Sequence, residues 1–179
     1  LKSRFGNENL IAMWVADMDF KAPQPVIDAL KERVNHGIFG YNIIPDSYYE
    51  AFINWEKEKH GYNVKKEWIR FSPGVVPALF WFINILTNPG DSCIVMGPVY
   101  YPFHDAIKEN ERKLIFNNLK NDNGIYTIDF EKFEEDIIEN QVKLFILSSP
   151  HNPIGRVWTK EELKRVLDIC KANDVFVLA

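Results

Sequence analysis

The sequence has 179 residues, of which 46% are hydrophobic and 26% are charged, as expected for one substantial globular core. Its 21 basic and 25 acidic residues give a net charge of −4 that is spread along the chain, which argues against a nucleic-acid-binding surface. No apolar run approaches the roughly 20 residues of a membrane-spanning helix, so we predict neither a nucleic-acid nor a membrane partner.

The cysteines and histidines predict neither a disulfide nor a metal site. Cys93 lies in a predicted strand and Cys170 on the apolar face of a predicted helix, which is typical of small buried hydrophobes in a reducing, cytoplasmic compartment. The histidines show no metal-ligand spacing to one another or to the cysteines, so we predict no metal; they are His36, His60, His104 and His151.

The first segment, residues 1–37, predicts an irregular stretch followed by one helix. Trp14–Phe20 is half apolar and carries Asp17 and Asp19, whose pattern alone is as consistent with turn or capping roles as with a site. Apolar residues then recur at helical spacing, and Gly37 suits the left-handed cap of that helix.

The next segment predicts a loop, a second helix and a short strand. Tyr41 stands in the loop beside Gly40, where packing is the usual role of a tyrosine. The helix begins near Pro45-Asp46 and ends at His60-Gly61, and Trp68–Phe71 has the composition of a strand.

Ser72–Leu79 predicts a tight turn at Gly74 and the start of a helix, with Pro77 suited to the first helical position. The free amides of such a helix start can bind phosphate through backbone donors and the positive end of the helix dipole. Most turns of this kind bind nothing, so the pattern alone leaves a phosphate site open.

A strand is predicted over Ser92–Met96, with a loop over Gly97–Phe103 at its carboxyl end. Tyr100 and Tyr101 stand together in that loop between prolines, where neither helix nor strand periodicity accounts for them. Packing in the core and stacking of an aromatic face on a ligand ring are both consistent with this pair.

Strands and helices alternate in the remainder of the chain. The predicted elements are a strand at Lys113–Asn117, a loop tip at Asn121–Gly124, a helix at Asp129–Ile138, a buried strand at Leu144–Leu147, a helix after the capping box at Thr159, and a strand at Val175–Ala179. This order predicts an α/β fold, a mostly parallel sheet with helices on both faces.

The segment Ser148–Arg156 follows the buried strand and precedes the capped helix, so it lies where open α/β sheets bind ligands. Pro153 disfavours the helical region for Asn152 and would hold its side-chain amide at a fixed angle. An ordinary turn at Asn-Pro is the alternative. Neither Gly-x-Gly-x-x-Gly nor Gly-Lys-Ser/Thr occurs, which argues against a dinucleotide-binding dehydrogenase and a nucleotide hydrolase.

Two of these stretches carry a family resemblance. Ser148–Trp158 resembles the Asn-Pro-x-Gly signature of the pyridoxal 5'-phosphate (PLP) enzymes of fold type I, the aspartate aminotransferase superfamily (class I/II). Met13–Phe20 is similar to the opening loop of its MalY/PatB branch, the cystathionine β-lyase-like carbon–sulfur lyases. The resemblance extends over essentially the whole chain and implies that residues 38–179 are the first part of a PLP-binding large domain.

The resemblance also implies roles for individual residues. The amides of Val75 and Val76 would hold the PLP phosphate, Tyr100 would stack on the ring, and Asn152 would bind the ring oxygen. Tyr41 would reach the phosphate of the neighbouring subunit, which implies a homodimer. The segment 1–37 would line the substrate side, with backbone groups near Val15 and Ala16 binding the substrate carboxylate.

The implied reaction is β-elimination from cystathionine or related cysteine conjugates, giving pyruvate, ammonia and a thiol. A class I/II aminotransferase is the first alternative, since both reactions begin with α-proton removal, and a noncatalytic scaffold or regulator of the same fold is the second. We expect residues to precede Leu1 and a Schiff-base lysine, an aspartate for the pyridine nitrogen and a small C-terminal domain to follow Ala179.

Overall fold

The computed structural model describes residues 6–7, 9–11, 16, 18, 20–41 and 43–179. The chain divides into two compact units, Leu1–Lys66 and Glu67–Ala179, each of which is described by itself. The functional division predicted between residues 37 and 38 is a different boundary and stays a prediction.

The first unit contains helices α1 (Gln24–His36) and α2 (Asp46–His60). Both end, as predicted, at a glycine in the left-handed conformation, with φ of 73° at Gly37 and 65° at Gly61. The predictions for Val15, Asp17 and Asp19 lie outside the described residues. Two further residues to which site roles were assigned, Ala16 and Tyr41, are exposed.

The second unit is built on a four-stranded parallel sheet. Its elements in chain order are α3 (Val75–Leu86), β1 (Ser92–Gly97), α4 (Pro102–Glu109), β2 (Lys113–Asn118), β3 (Lys120–Asp122), β4 (Ile125–Thr127), α5 (Phe130–Glu139), β5 (Val142–Ile146), α6 (Lys160–Ala172) and β6 (Phe176–Leu178). The strand order is β2-β1-β5-β6, every neighbouring pair is parallel, and β3 and β4 form a separate antiparallel hairpin. The predicted α/β fold with a mostly parallel sheet is confirmed.

The sheet separates two hydrophobic clusters because successive side chains of a strand point to opposite faces. On β1, Ile94 and Met96 belong to one cluster, while Cys93 and Val95 belong to the other. Helices α5 and α6 contribute buried side chains to the first cluster, and α3 and α4 contribute to the second. Helices therefore cover both faces, as predicted. Both cysteines are buried, also as predicted, and both thiols are free.

Three local predictions are wrong. Trp68–Phe71 is not a strand: a 3₁₀ helix covers Lys66–Trp68, and the Arg70 guanidinium bonds the carbonyls of Glu67 and Ile69, which occupies acceptors that a strand would present to a neighbour. Helix α3 begins at Val75, so Pro77 is its third residue and not its first. This position tolerates proline because the first four amides of a helix have no acceptor within it.

The third wrong prediction is the loop over Gly97–Phe103, because helix α4 already begins at Pro102. Its eight residues bury Phe103, Ala106 and Ile107 against the sheet, so packing stabilises a helix that is too short to form by itself. The loop tip at Asn121–Gly124 is narrower than predicted, since Asn121 and Asp122 pair with β4. Asn123 and Gly124 form the turn with positive φ, as Asn-Gly hairpins require.

Candidate functional site

A cavity of about 540 Å³ lies at the carboxyl ends of β5 and β6 in the second unit. Its walls are formed by residues of α3, by Phe103 of α4, by the segment that follows β5 and by the end of β6; they are Val75, Ala78, Leu79, Phe82, Phe103, Ile146, Leu147, Ser148, Ser149, Pro150, Leu178 and Ala179. Open parallel sheets bind ligands at this edge. The lining is mainly apolar and contains no Asp or Glu among the described residues.

Val75, the first residue of helix α3, lines this cavity. No side chain caps the helix start at Gly74, and the Ser72 hydroxyl donates to the Gly74 carbonyl at 2.7 Å instead of accepting from an amide. The amides of Val75 and Val76 have no acceptor within the helix, and Pro77 has no amide hydrogen. Of these two residues, Val75 lines the cavity and Val76 does not, so the positive end of the helix dipole reaches the cavity edge through Val75.

Tyr100 lies immediately behind the cavity wall. Its ring meets the ring of Phe103, which lines the cavity, edge to face with centroids 6.0 Å apart. The Tyr101 ring is 5.6 Å from the Tyr100 ring and is the more exposed of the two. The structure thus places Tyr100 one contact from the cavity, and the Tyr100 ring does not itself line it.

Asn152 is also one contact from the cavity. Its backbone amide donates to the Ser148 hydroxyl at 3.2 Å, and that hydroxyl donates to the Pro150 carbonyl at 3.1 Å. Ser148 and Pro150 both line the cavity, whereas Asn152 is exposed. These bonds close a turn next to the cavity, and Asn152 belongs to that turn without lining the cavity.

Two buried side chains that were not predicted as site residues hold this turn. The Trp158 indole donates to the Ser148 carbonyl at 3.0 Å, and the His151 Nε2 is 3.0 Å from the Pro98 carbonyl. The sequence does carry a signal for Trp158, because an apolar residue directly before a capping box often packs against the helix start. His151 carries no comparable signal, since its partner lies 53 residues away.

Burial lowers the pKa of His151, while the carbonyl of Pro98 opposes that shift. Backbone groups of Met96 and Ser148 oppose the shift as well. In the contact with Pro98, Nε2 must carry the hydrogen because the carbonyl is an acceptor. Its other nitrogen, Nδ1, is buried and has no hydrogen-bond partner among the described residues.

The far end of the turn is fixed by an ion pair. Arg156 donates to both carboxylate oxygens of Glu162, at 3.0 and 2.8 Å, and its guanidinium lies 4.6 Å from the centre of the Trp158 ring. Glu162 also accepts from the Thr159 amide, which completes the predicted capping box of α6. The hydrogen bonds from Arg156 are the main reason that the pKa of Glu162 is below its usual value.

Other possible site types are not supported. The described residues contain no group of three or more His, Cys, Asp or Glu that could hold a metal ion. Within the same ranges, no helix has both the length and the apolar character to span a membrane.

Comparison with known proteins agrees with the fold. Residues 8–179 match the family model described as aminotransferase class I and II. The chain is 43% identical to cystathionine β-lyase PatB of Bacillus subtilis (strain 168) over 98% of its length, and 29% identical to protein MalY of Escherichia coli (strain K12) over 98%. It spans 45% of the length of each relative.

Among solved structures, the PLP-bound C-S lyase from Staphylococcus hominis superposes with a TM-score of 0.88 at 40% identity. The match covers 94% of this chain and 43% of that one. The chain therefore has the fold of slightly less than half of that lyase.

Proposed function

Because the chain belongs to the aminotransferase class I and II family, we propose that it forms part of a PLP-dependent carbon–sulfur β-lyase that cleaves cystathionine or related cysteine conjugates. The products would be pyruvate, ammonia and a thiol. The observation that carries the proposal is the cavity at the strand ends, bordered by the uncapped start of α3, in a chain 43% identical to a cystathionine β-lyase.

The described residues fit the phosphate of PLP. The Val75 and Val76 amides would donate to phosphate oxygens, and the dipole of α3 would stabilise the negative charge. The absence of Asp and Glu from the described lining avoids a repulsive partner. The described lining has no lysine or arginine side chain. Backbone donors alone can bind a phosphate where a helix start faces it.

The other assigned residues would hold the ring and the substrate. Asn152 would donate its side-chain amide to the ring oxygen, and Tyr100 would stack on the ring face after the side chains at the cavity wall adjust. Backbone groups at Val15 and Ala16 would bind the substrate carboxylate. Bound PLP supplies the electron sink for removal of the α-proton and loss of the thiolate.

We also propose a cytoplasmic homodimer. Tyr41 is fully exposed, so its hydroxyl is free to reach the phosphate site of a neighbouring subunit. A cytoplasmic setting agrees with the two buried cysteines that form no disulfide.

The decisive experiment supplies the natural protein that contains this chain with cystathionine and no keto acid. Prompt release of pyruvate and free thiol supports the lyase. Turnover that waits for a keto acid contradicts it and favours the aminotransferase. Intact mass spectrometry after borohydride reduction is the complementary test, because a protein without a PLP adduct would be the noncatalytic scaffold.

A further inference from the structure

We propose that His151 is a positioning residue that joins the turn carrying Asn152 to the segment carrying Tyr100. The two segments follow different strands, β5 and β1, and His151 links them through a hydrogen bond to the Pro98 carbonyl. The proposal deepens the proposed function, because Asn152 and Tyr100 are the residues assigned to the PLP ring.

The position of the bond supports this role. His151 precedes Asn152 directly, and Pro98 precedes Tyr100 by two residues, so the 3.0 Å contact ties the two segments close to both side chains. The bond runs from the side chain of one segment to the backbone of the other. It therefore constrains where the second segment lies, whichever side chains that segment carries.

The surroundings of the ring keep it in this orientation. His151 is 1% exposed and packs edge to face on Trp158, with centroids 5.4 Å apart and an interplanar angle of 83°. Trp158 is 3% exposed and is held by its own bond to the Ser148 carbonyl. A ring packed in this way loses little further entropy in making its hydrogen bond, so the link is preorganised.

The surroundings of the His151 imidazole favour a role in positioning over a role in proton transfer. His151 lies outside the cavity lining, and its Nε2 hydrogen is used by a backbone carbonyl. Its effect on PLP would pass through the placement of Asn152 and Tyr100. We therefore expect substitution to alter PLP binding and the rigidity of both segments together.

The test compares His151→Phe, which keeps an aromatic ring and removes the donor, with His151→Gln, whose amide nitrogen occupies the Nε2 position. The matched control is His104→Phe. His104 packs edge to face on Phe116 and also has a buried ring nitrogen without a partner among the described residues, but it forms no bond to the Asn152 turn. Where His151→Phe does not fold, His151→Asn replaces it, because asparagine is too short to reach Pro98.

Two measurements are made on the natural protein. Hydrogen–deuterium exchange of the PLP-free form follows the peptides that cover residues 97–104 and 148–156. Spectral titration with PLP gives the dissociation constant and the absorption maximum. We expect His151→Phe to accelerate exchange in both peptides and to raise the PLP dissociation constant roughly three- to tenfold, the worth of one hydrogen bond. His151→Gln keeps the donor, so its exchange rates and PLP dissociation constant should stay close to those of the unsubstituted protein. His104→Phe should leave the exchange rate of residues 148–156 unchanged.

Faster exchange confined to residues 148–156 would overturn the proposed link. An unchanged PLP dissociation constant with faster exchange in both peptides would overturn the role towards PLP. If the natural protein binds no PLP at all, the proposed function fails, and the exchange data alone then decide whether His151 joins the two segments.

Discussion

Asn152 presents its side chain on an exposed turn whose own fold depends on backbone and serine bonds. We predict that Asn152→Ala leaves PLP bound, shifts its absorption maximum and slows turnover. The reason is the loss of a hydrogen bond to a charged ring oxygen, worth roughly 1.5 to 3 kcal/mol. Absorption spectra and steady-state rates are the measurements, with exposed Asn63→Ala as the control. An unchanged spectrum and rate would return Asn152 to the role of a turn residue.

Glu162 gives a pH-dependent prediction at the same scale. Hydrogen bonds from Arg156 lower the pKa of Glu162 in the folded state. The ionised carboxylate therefore stabilises the fold fully above about pH 4.5, the usual pKa of glutamate. This stabilisation is lost as the pH falls through the lower pKa of the folded state. We expect Glu162→Gln to reduce the free energy of unfolding by roughly 1 to 2 kcal/mol at pH 7. That deficit should shrink below pH 4.5.

Urea unfolding of the natural protein at several pH values measures this difference. Glu161→Gln is the matched control, because Glu161 is the exposed neighbour in the first turn of α6. A deficit of the same size at every pH would show that the charge of Glu162 is not the cause.

At the scale of elements, Arg112 connects the carboxyl ends of two helices. It is 7% exposed and donates to the hydroxyl of Thr87 at 2.9 Å, to the carbonyl of Thr87 at 2.6 Å and to the carbonyl of Asn110. Thr87 and Asn110 cap α3 and α4, so one guanidinium satisfies both helix ends and opposes both dipoles.

We therefore predict that Arg112→Lys lowers the free energy of unfolding by roughly 1 to 3 kcal/mol, because an ammonium cannot reproduce the planar fork of donors. Denaturant unfolding of the natural protein is the measurement. Arg165→Lys, at a side chain that is 54% exposed, should change stability by less than about 0.5 kcal/mol and serves as the control. An equal effect at both positions would contradict the proposed role of Arg112.

Elements whose determinants lie close together in sequence could be predicted. The glycine ends of α1 and α2 and the capping box of α6 each depend on residues within one or two turns, and all three are present. Contacts across the fold could not be predicted: Pro98 lies 53 residues from His151, and Thr87 lies 25 residues from Arg112. No local pattern specifies such distances.

The same distinction explains the candidate site. The buried strand before Asn152 could be placed at the sheet edge from the sequence, and the structure has it. A helix after Gly74 was also predicted, but it begins at Val75 and not at Pro77, and the strand predicted before it is absent from the described residues. The cavity wall could not be predicted, because Phe103 belongs to α4, a short helix that depends on packing against the sheet. The roles of Val75, Val76, Tyr100 and Asn152 come from the family resemblance and stay proposals.

At the scale of the whole molecule, the proposed homodimer makes a prediction for Tyr41. Mixing Tyr41→Phe subunits with Asn152→Ala subunits should restore activity in some heterodimers, since one of the two sites would then receive both intact side chains. Activity after co-refolding is the measurement, and each variant refolded alone is the control. Complete absence of recovery would indicate that Tyr41 acts within its own subunit.

The two-sided core also supplies two internal reporters. Cys93 belongs to the cluster beneath α3 and α4, and Cys170 to the cluster beneath α5 and α6. Burial is the main reason that the pKa of each thiol is raised to about 12, so both should resist alkylation until the surrounding cluster opens. Pulsed alkylation in increasing denaturant, read by peptide mass spectrometry, would follow each cysteine separately. If the sheet opens as one cooperative unit, the two curves will coincide; if one layer of helices detaches first, its cysteine will react at a lower denaturant concentration.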